Sequence, residues 1–190
     1  MLKIHAIILA RGNSKGIKNK NLTNVNGKPL IYWSIKASLL SKKINKVWVS
    51  SDSKKILSIS KKFGANIITR PKKLSSDTAS SENGWVHAIK FIQSKEKITH
   101  VVALQPTSPL RQIRDLDNAL IKYFKNKSDS LFSANQLDAH FTWKLKKNIS
   151  PNYKINLPRK MRQSIKTELI ENGSFYIFSS KKFLKNKRRL

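Results

Sequence analysis

The sequence contains no cysteine, which excludes disulfides and thiolate metal sites. Acidic residues are scarce: 10 Asp and Glu stand against 39 Lys and Arg, for a formal net charge of +29. No apolar run approaches the ~18–20 residues that a membrane-spanning helix requires. The N-terminus reads straight into strand-like sequence, without the layout of a signal peptide. A soluble, cytoplasmic protein with no membrane partner is the expectation. Neither a Walker G-x-x-x-x-G-K-[ST] loop nor a Rossmann G-x-G-x-x-G fingerprint occurs, and there is no internal repeat.

What remains is a chain of 190 residues with a 39% hydrophobic share, a length that suits one domain, or one domain with a small appendage. The positive charge has three readings: contacts to nucleic-acid phosphates, attraction of small acidic substrates, or a solvated lysine surface. Lysine outnumbers arginine and is spread along the whole chain without an RNA-binding signature, so the solvated surface accounts for most of it. The densest basic run, Lys181 to Arg189, reads as a frayed, solvated tail.

Apolar runs give the organisation. Ile4–Ala10 reads as a buried parallel strand. Residues 11–28, with Gly12, Gly16 and Gly27, read as a loop. Pro29 opens a helix at its favoured first-turn position, with Ile31, Ile35 and Leu39 on one face. Val47–Asp52 is a second strand. Ile56, Ile59 and Phe63 mark the following helix, with Asp52 as its expected cap. Asn66–Thr69 is a third strand. Asp77 reads as a cap within Ser76–Thr78, ahead of a helix striped by Trp85, Ile89 and Ile92. His87, in mid-helix, reads as a core histidine. His100–Gln105, a helix marked by Leu116, Leu120 and Tyr123, and the strand Asp129–Ala134 follow. The alternation predicts a three-layer α/β sandwich around a mostly parallel sheet. It falters over about 138–170, which reads as an inserted arm within a single domain spanning 1–190. Gly173–Phe178 resumes strand character.

In such sheets ligands bind beyond the carboxyl ends of the strands. Three polar segments fall there: Arg11–Gly16, Ser50–Asp52 and Gln105–Arg111. In the first, two glycines allow a tight turn with inward-facing amides, and Arg11, Lys15 and Lys20 add positive charge. A triphosphate cradle and an ordinary strand-to-helix turn with solvated lysines both fit that pattern.

The blocks Ala10–Gly16, Lys20-Asn21-Leu22, Gly27–Leu30, Arg70-Pro71, Asp77–Ser81, Leu104–Arg111, Arg162-Gln163 and Glu171-Asn172-Gly173 with Tyr176 resemble, in order, those of the CMP-sialic acid synthetase (acylneuraminate cytidylyltransferase) family. The resemblance runs from Lys3 to Phe178. It implies a nucleotide-diphospho-sugar transferase type of fold and transfer of CMP from CTP to an acidic nine-carbon sugar, with release of pyrophosphate. N-acetylneuraminate, legionaminate and pseudaminate are all open as the sugar, while the Gln105–Pro109 block argues against a Kdo cytidylyltransferase. Arg11, Lys15 and Lys20 would be the catalytic cations on the phosphates. Leu9, Ala10, Gly12, Asn13, Ser14, Asn21, Arg70, Ser81 and Gln105 would complete the nucleotide site. Gln105, Thr107, Ser108, Arg111, Lys144, Arg162 and Tyr176 would face the sugar. Three of the last group have a second reading: Arg111 as a surface pair with Asp115, Lys144 as a solvent lysine, Tyr176 as core packing. The resemblance also implies Mg²⁺ and a homodimer whose arm reaches its neighbour. The family's late Asp-x-Asp, which holds the metal, has no counterpart before Leu190, so the metal ligands stay unknown and a final edge element is expected to be missing. A truncated CTP-binding chain without turnover and a basic nucleic-acid-binding protein are the competing expectations.

Overall fold

The strand β1 (Ile4–Leu9) is buried along almost its whole length, and the architecture is built outward from it. Its even-numbered residues Ile4, Ala6 and Ile8 face one apolar layer, whereas Ile7 faces another. A strand that buries both faces needs helices on both sides. The computed structural model describes residues 1–190 except 15, 138–142, 145–148, 152–155, 159–160 and 162–167.

After β1 come a two-residue hairpin, β2 (Asn24–Val25) and β3 (Lys28–Pro29), then α1 (Leu30–Leu39), β4 (Lys46–Ser51), α2 (Lys54–Lys62), β5 (Asn66–Thr69), α3 (Ser81–Gln93), β6 (His100–Leu104) and α4 (Ile113–Lys125). The remaining elements are β7 (Ser130–Leu137), β8 (Trp143–Lys144), β9 (Ser150–Pro151), β10 (Glu168–Ser179) and α5 (Ser180–Asn186). The main sheet has the order β5-β4-β1-β6-β10-β7. β1 pairs in parallel with β4 and β6, and β4 with β5. β10 enters antiparallel to β6, Phe175 opposite Leu104. The mostly parallel three-layer sandwich predicted from the alternation is the observed one.

One layer packs Ile31 and Ile35 of α1, Ile56 of α2, and Leu116 and Leu120 of α4 on the sheet. The opposite layer packs Trp85, Ile89 and Ile92 of α3 together with Phe183 of α5. The helical stripes foreseen at Trp85/Ile89/Ile92 and Leu116/Leu120/Tyr123 are buried, and of the stripe Ile31/Ile35/Leu39 the first two are buried while Leu39 is exposed.

Several local readings are corrected. The Arg11–Lys28 segment is not all loop: Asn26 (φ 50°) and Gly27 (φ 77°) form the tight turn of the β2–β3 hairpin, the pairing of positive φ values that suits a two-residue hairpin. Ser53, not Asp52, caps α2, its hydroxyl accepting from the Ile56 amide. Ser80, not Asp77, caps α3 through the Asn83 amide. The basic C-terminus is not frayed over its length. α5 buries Phe183, stacked on Phe178 at 4.4 Å between ring centroids. Beyond it, Arg189 pairs with Glu82 at 2.9 Å and lies over the Tyr176 ring.

The chain divides into two compact units, Met1–Ser133 with Gly173–Leu190, and Ala134–Asn172. In the second, Asn172 donates to the Asn135 side chain at 2.8 Å, and β8 pairs antiparallel with β9. Among the described residues no helix is long and apolar enough to cross a membrane.

Candidate functional site

At the carboxyl ends of β1, β5 and β6 lies a hollow of about 310 Å³ within the larger unit, near the lower end of the roughly 300–1,000 Å³ usual for small-molecule sites. β1 delivers Leu9 and Arg11 to it. The following segment delivers Ser14, Lys20 and Asn21. Arg70 follows β5, Ser75–Asp77 and Ser80–Ser81 lead into α3, and Gln105–Thr107 follow β6. Convergence of these segments is dictated by topology, because parallel strands present their carboxyl ends on one rim.

Arg70 is the buried cation of the site, only 5% exposed. Its Nε donates to Ser75 Oγ at 2.8 Å. Burial lowers its pKa, and the Asp52 carboxylate opposes that shift. It reaches this position because α3 carries glycine at 84. A Cβ there would stand 2.9 Å from Leu9 Cδ1 and 3.2 Å from Arg70 Nη1, so a side chain would displace part of the pocket wall.

The turn after β1 is clamped rather than loose. Asn21 Nδ2 donates to the Arg11 carbonyl at 2.9 Å, and the Gly12 amide donates to Asp52 Oδ1 at 2.9 Å. The Arg11 guanidinium meets Asp77 Oδ1 at 2.7 Å. Three cations of the described lining, Arg11, Lys20 and Arg70, face a single lining carboxylate, Asp77. Such a concentration of one sign favours an anionic ligand.

Leu9, Arg11, Ser14, Lys20, Asn21, Arg70, Ser81, Gln105 and Thr107 of the expected site are brought together here. Ala10 turns into the core and Asn13 into solvent. Gly12 supports the turn from behind. Ser108 lies on the adjoining loop without lining the hollow. Lys15 and Arg162 lie outside the described residues, as does the side chain of Lys144, whose backbone is in β8.

Arg111 makes no ion pair with Asp115. It donates to Ser174 Oγ, Ser34 Oγ and the carbonyls of Gln105 and Ser174 at 2.7–3.3 Å. Asp115 instead accepts from the Gln112 amide and closes the cap of α4. Burial pushes the Arg111 guanidinium down to about 10, so it is still protonated at neutral pH. Tyr176 is 2% exposed and packs edge-on against Trp85. His87 is half-buried, and burial, then the Arg70 charge, lower its pKa. Sequence reading missed the pocket roles of Ser75, Asp77 and Trp85 and the clamp at Asp52. Both aspartates precede helices, where a capping signal looks the same as a site carboxylate.

Among the described residues no cluster of three His, Asp or Glu side chains is placed to hold a metal. The one carboxylate in the lining is already paired with Arg11. These residues do not fit a dedicated Mg²⁺ site.

Fold and rim together define an α/β protein with a predominantly cationic hollow beyond the ends of parallel strands. Comparison with known sequences narrows the class. The chain belongs to the cytidylyltransferase family, whose profile matches residues 5–171. It is 38% identical over 181 residues to the N-acylneuraminate cytidylyltransferase of Oncorhynchus mykiss, covering 93% of this chain and 41% of that protein. It is 39% identical over 139 residues to a pseudaminic acid cytidylyltransferase of Campylobacter jejuni, covering 72% and 60%. The chain thus spans less than two thirds of either relative. Among solved structures, CMP:2-keto-3-deoxy-manno-octonic acid synthetase complexed with CTP has a TM-score of 0.72 at 20% identity, over 97% of this chain and 76% of that one. At that identity the likeness concerns the fold.

Proposed function

We propose that this chain carries the nucleotide-handling part of a cytidylyltransferase that transfers CMP from CTP to an acidic nine-carbon sugar. The observation that carries the reading is the convergence of Arg11, Lys20 and Arg70 on one strand-end pocket. It is supported by family membership and by relatives named for N-acylneuraminate and pseudaminic acid.

In this reading a sugar hydroxyl oxygen attacks the α-phosphorus of CTP in line. The bond from that phosphorus to the bridging oxygen breaks, pyrophosphate leaves, and the hydroxyl proton passes to solvent. Arg11 and Lys20, with Lys15, hold the triphosphate, each charge-assisted contact contributing about 1.5–3 kcal/mol where water is excluded. Arg70, Asn21 and Ser81 surround the nucleoside, and Gln105 and Thr107 face the sugar. The protein's part is positioning and charge stabilisation. Arg111, Lys144 and Arg162 retain their proposed sugar-side roles from the family resemblance, whereas the burial of Tyr176 against Trp85 supports its core-packing reading. Mg²⁺ is expected alongside the triphosphate on the same resemblance, and no step is assigned to it.

The larger assembly belongs to the same proposal: a cytoplasmic homodimer of single nucleotidyltransferase domains, each with an arm at about 138–170. The compact unit Ala134–Asn172 is in keeping with such an arm. Light scattering that returned a folded monomer would remove the dimer from this reading.

A nucleic-acid partner finds less support. Trp48, Trp85, Tyr123 and Tyr176 are buried and offer no stacking surface. The test compares thermal stabilisation by CTP, ATP and single-stranded RNA, then pyrophosphate release with N-acetylneuraminate and pseudaminate. Selective stabilisation by CTP and sugar-dependent pyrophosphate release are expected. Equal, salt-sensitive stabilisation by all three polyanions would overturn the assignment.

A further inference from the structure

The peptide unit joining Arg11 to Gly12 is fixed at both of its polar ends. Its carbonyl accepts from Asn21, which is itself buried, and its N–H donates to Asp52. One residue earlier, the Ala10 amide donates to the Ser50 carbonyl at 3.0 Å, so the turn leaves the sheet already in register with β4. Gly12 is pressed onto the junction between β4 and α2. A Cβ at this position would lie 3.0 Å from Ser53 Cβ and 3.5 Å from Asp52 Oδ2, closer to Ser53 than side chains ordinarily pack.

Asp52 is not needed by the helix it precedes. Ser53 caps α2, and the Ser53 amide is taken by Ser51 Oγ at 3.1 Å. Nor does Asp52 line the hollow, whereas Arg11, whose peptide it grips, does. A peptide held at both ends fixes the course of the backbone where it leaves the sheet, and with it the Cα from which the Arg11 side chain reaches the rim. Side chains that must meet a ligand in one geometry depend on such support from behind.

We propose that Asp52 is a positioning residue for the anion site. Its carboxylate holds the Gly12 amide so that the Arg11 guanidinium is aimed into the pocket before the ligand arrives. The inference rests on the reading of the pocket as a triphosphate site and adds a residue that acts without touching the ligand.

Two variants separate this role from general stability. Asp52→Asn keeps an oxygen acceptor for the Gly12 amide, and Asp52→Ala removes it. Calorimetric titration of the full chain with CTP is expected to show about tenfold or weaker binding for Asp52→Ala, the scale of one lost hydrogen bond to a charged acceptor. Asp52→Asn should stay within about threefold of wild type, on the same argument that the acceptor survives. In steady state the loss should appear in KM for CTP, with kcat at saturating CTP largely kept. Gly12→Ala, which leaves Asp52 in place but forces the turn away from it, should copy Asp52→Ala and serves if the latter fails to fold. Unchanged CTP affinity in Asp52→Ala overturns the inference, as does an Asn variant no better than the Ala variant. So does a lowered Tm with the folded protein binding as wild type does. Inorganic tripolyphosphate is the second probe, because the inference concerns the anion and not the base. Wild-type protein that ignores CTP but binds tripolyphosphate, with binding lost in Asp52→Ala, would overturn the cytidylyl reading and keep this one. Wild-type protein that binds neither overturns both.

Discussion

Asp77 holds the Arg11 guanidinium in the free protein at 2.7 Å, and both side chains line the pocket. A polyphosphate entering that pocket must compete with it. The pair is more than a third exposed on each side, and exposed pairs contribute only about 0–1 kcal/mol. Asp77→Asn is therefore expected to tighten CTP binding by up to about fivefold, with a steeper salt dependence because the site becomes more positive, in titrations at low and high ionic strength. Gly84 sets the other limit. Gly84→Ala gains about 1 kcal/mol of helix propensity but pushes on Leu9 and Arg70, where overpacking costs typically ~1–3 kcal/mol. CTP affinity should fall several-fold while Tm changes by only a few degrees. At this scale the sequence exposed the cations and the glycine turn, since charge and conformational permissiveness are written in residue type. It did not expose which aspartate does what. Capping, clamping and pairing use the same side chain, and only the path of the chain shows that Ser53 and Ser80 take the caps. Gly84 gave no signal either: a glycine inside a helical stripe reads as a local weakness until the residues opposite it are known.

The buried strands and helices were the readily legible elements. Three runs that bury both faces, β1, β4 and β6, and three helices with apolar residues every three or four positions carry their periodicity openly. The β2–β3 hairpin is too short to alternate. The antiparallel entry of β10 is invisible because side-chain period carries no direction. α5 hid behind its charge: of Ser180–Asn186, three residues are lysine, yet Phe183 is 1% exposed. It closes the layer that backs Tyr176 and Trp85. Phe183→Ala should cost about 3–5 kcal/mol, the usual range for emptying a buried aromatic site, in chemical denaturation. A loss below ~1 kcal/mol would mean that the C-terminal helix is not packed as described.

For the whole molecule, the imbalance between 39 basic and 10 acidic residues makes stability sensitive to any further positive charge. Three histidines are placed where that matters. Burial lowers the pKa of His5, His87 and His100 below 6.5. His5 Nδ1 accepts from the Trp48 indole at 3.2 Å, a bond that protonation at Nδ1 would break. With folded values depressed, the unfolded chain binds protons first as pH falls. The stability from keeping these rings neutral is complete above about pH 6.5 and is lost below it. Tm should hold between pH 7 and 8 and decline from pH 6.5 toward 5, and His5→Gln should flatten part of that decline. A Tm that rises over the same interval would contradict the burial of these rings.

The order β6-β10-β7 has a consequence for how freely this protein can vary. β7 and β10 are hydrogen-bonded neighbours, so the chain between them departs and returns through one gate in the sheet. Closing a longer detour through a fixed gate costs only about 0.6 kcal/mol per doubling of its length. A longer or shorter segment at that point is therefore expected to leave the rim that gathers Arg11, Lys20 and Arg70 in place.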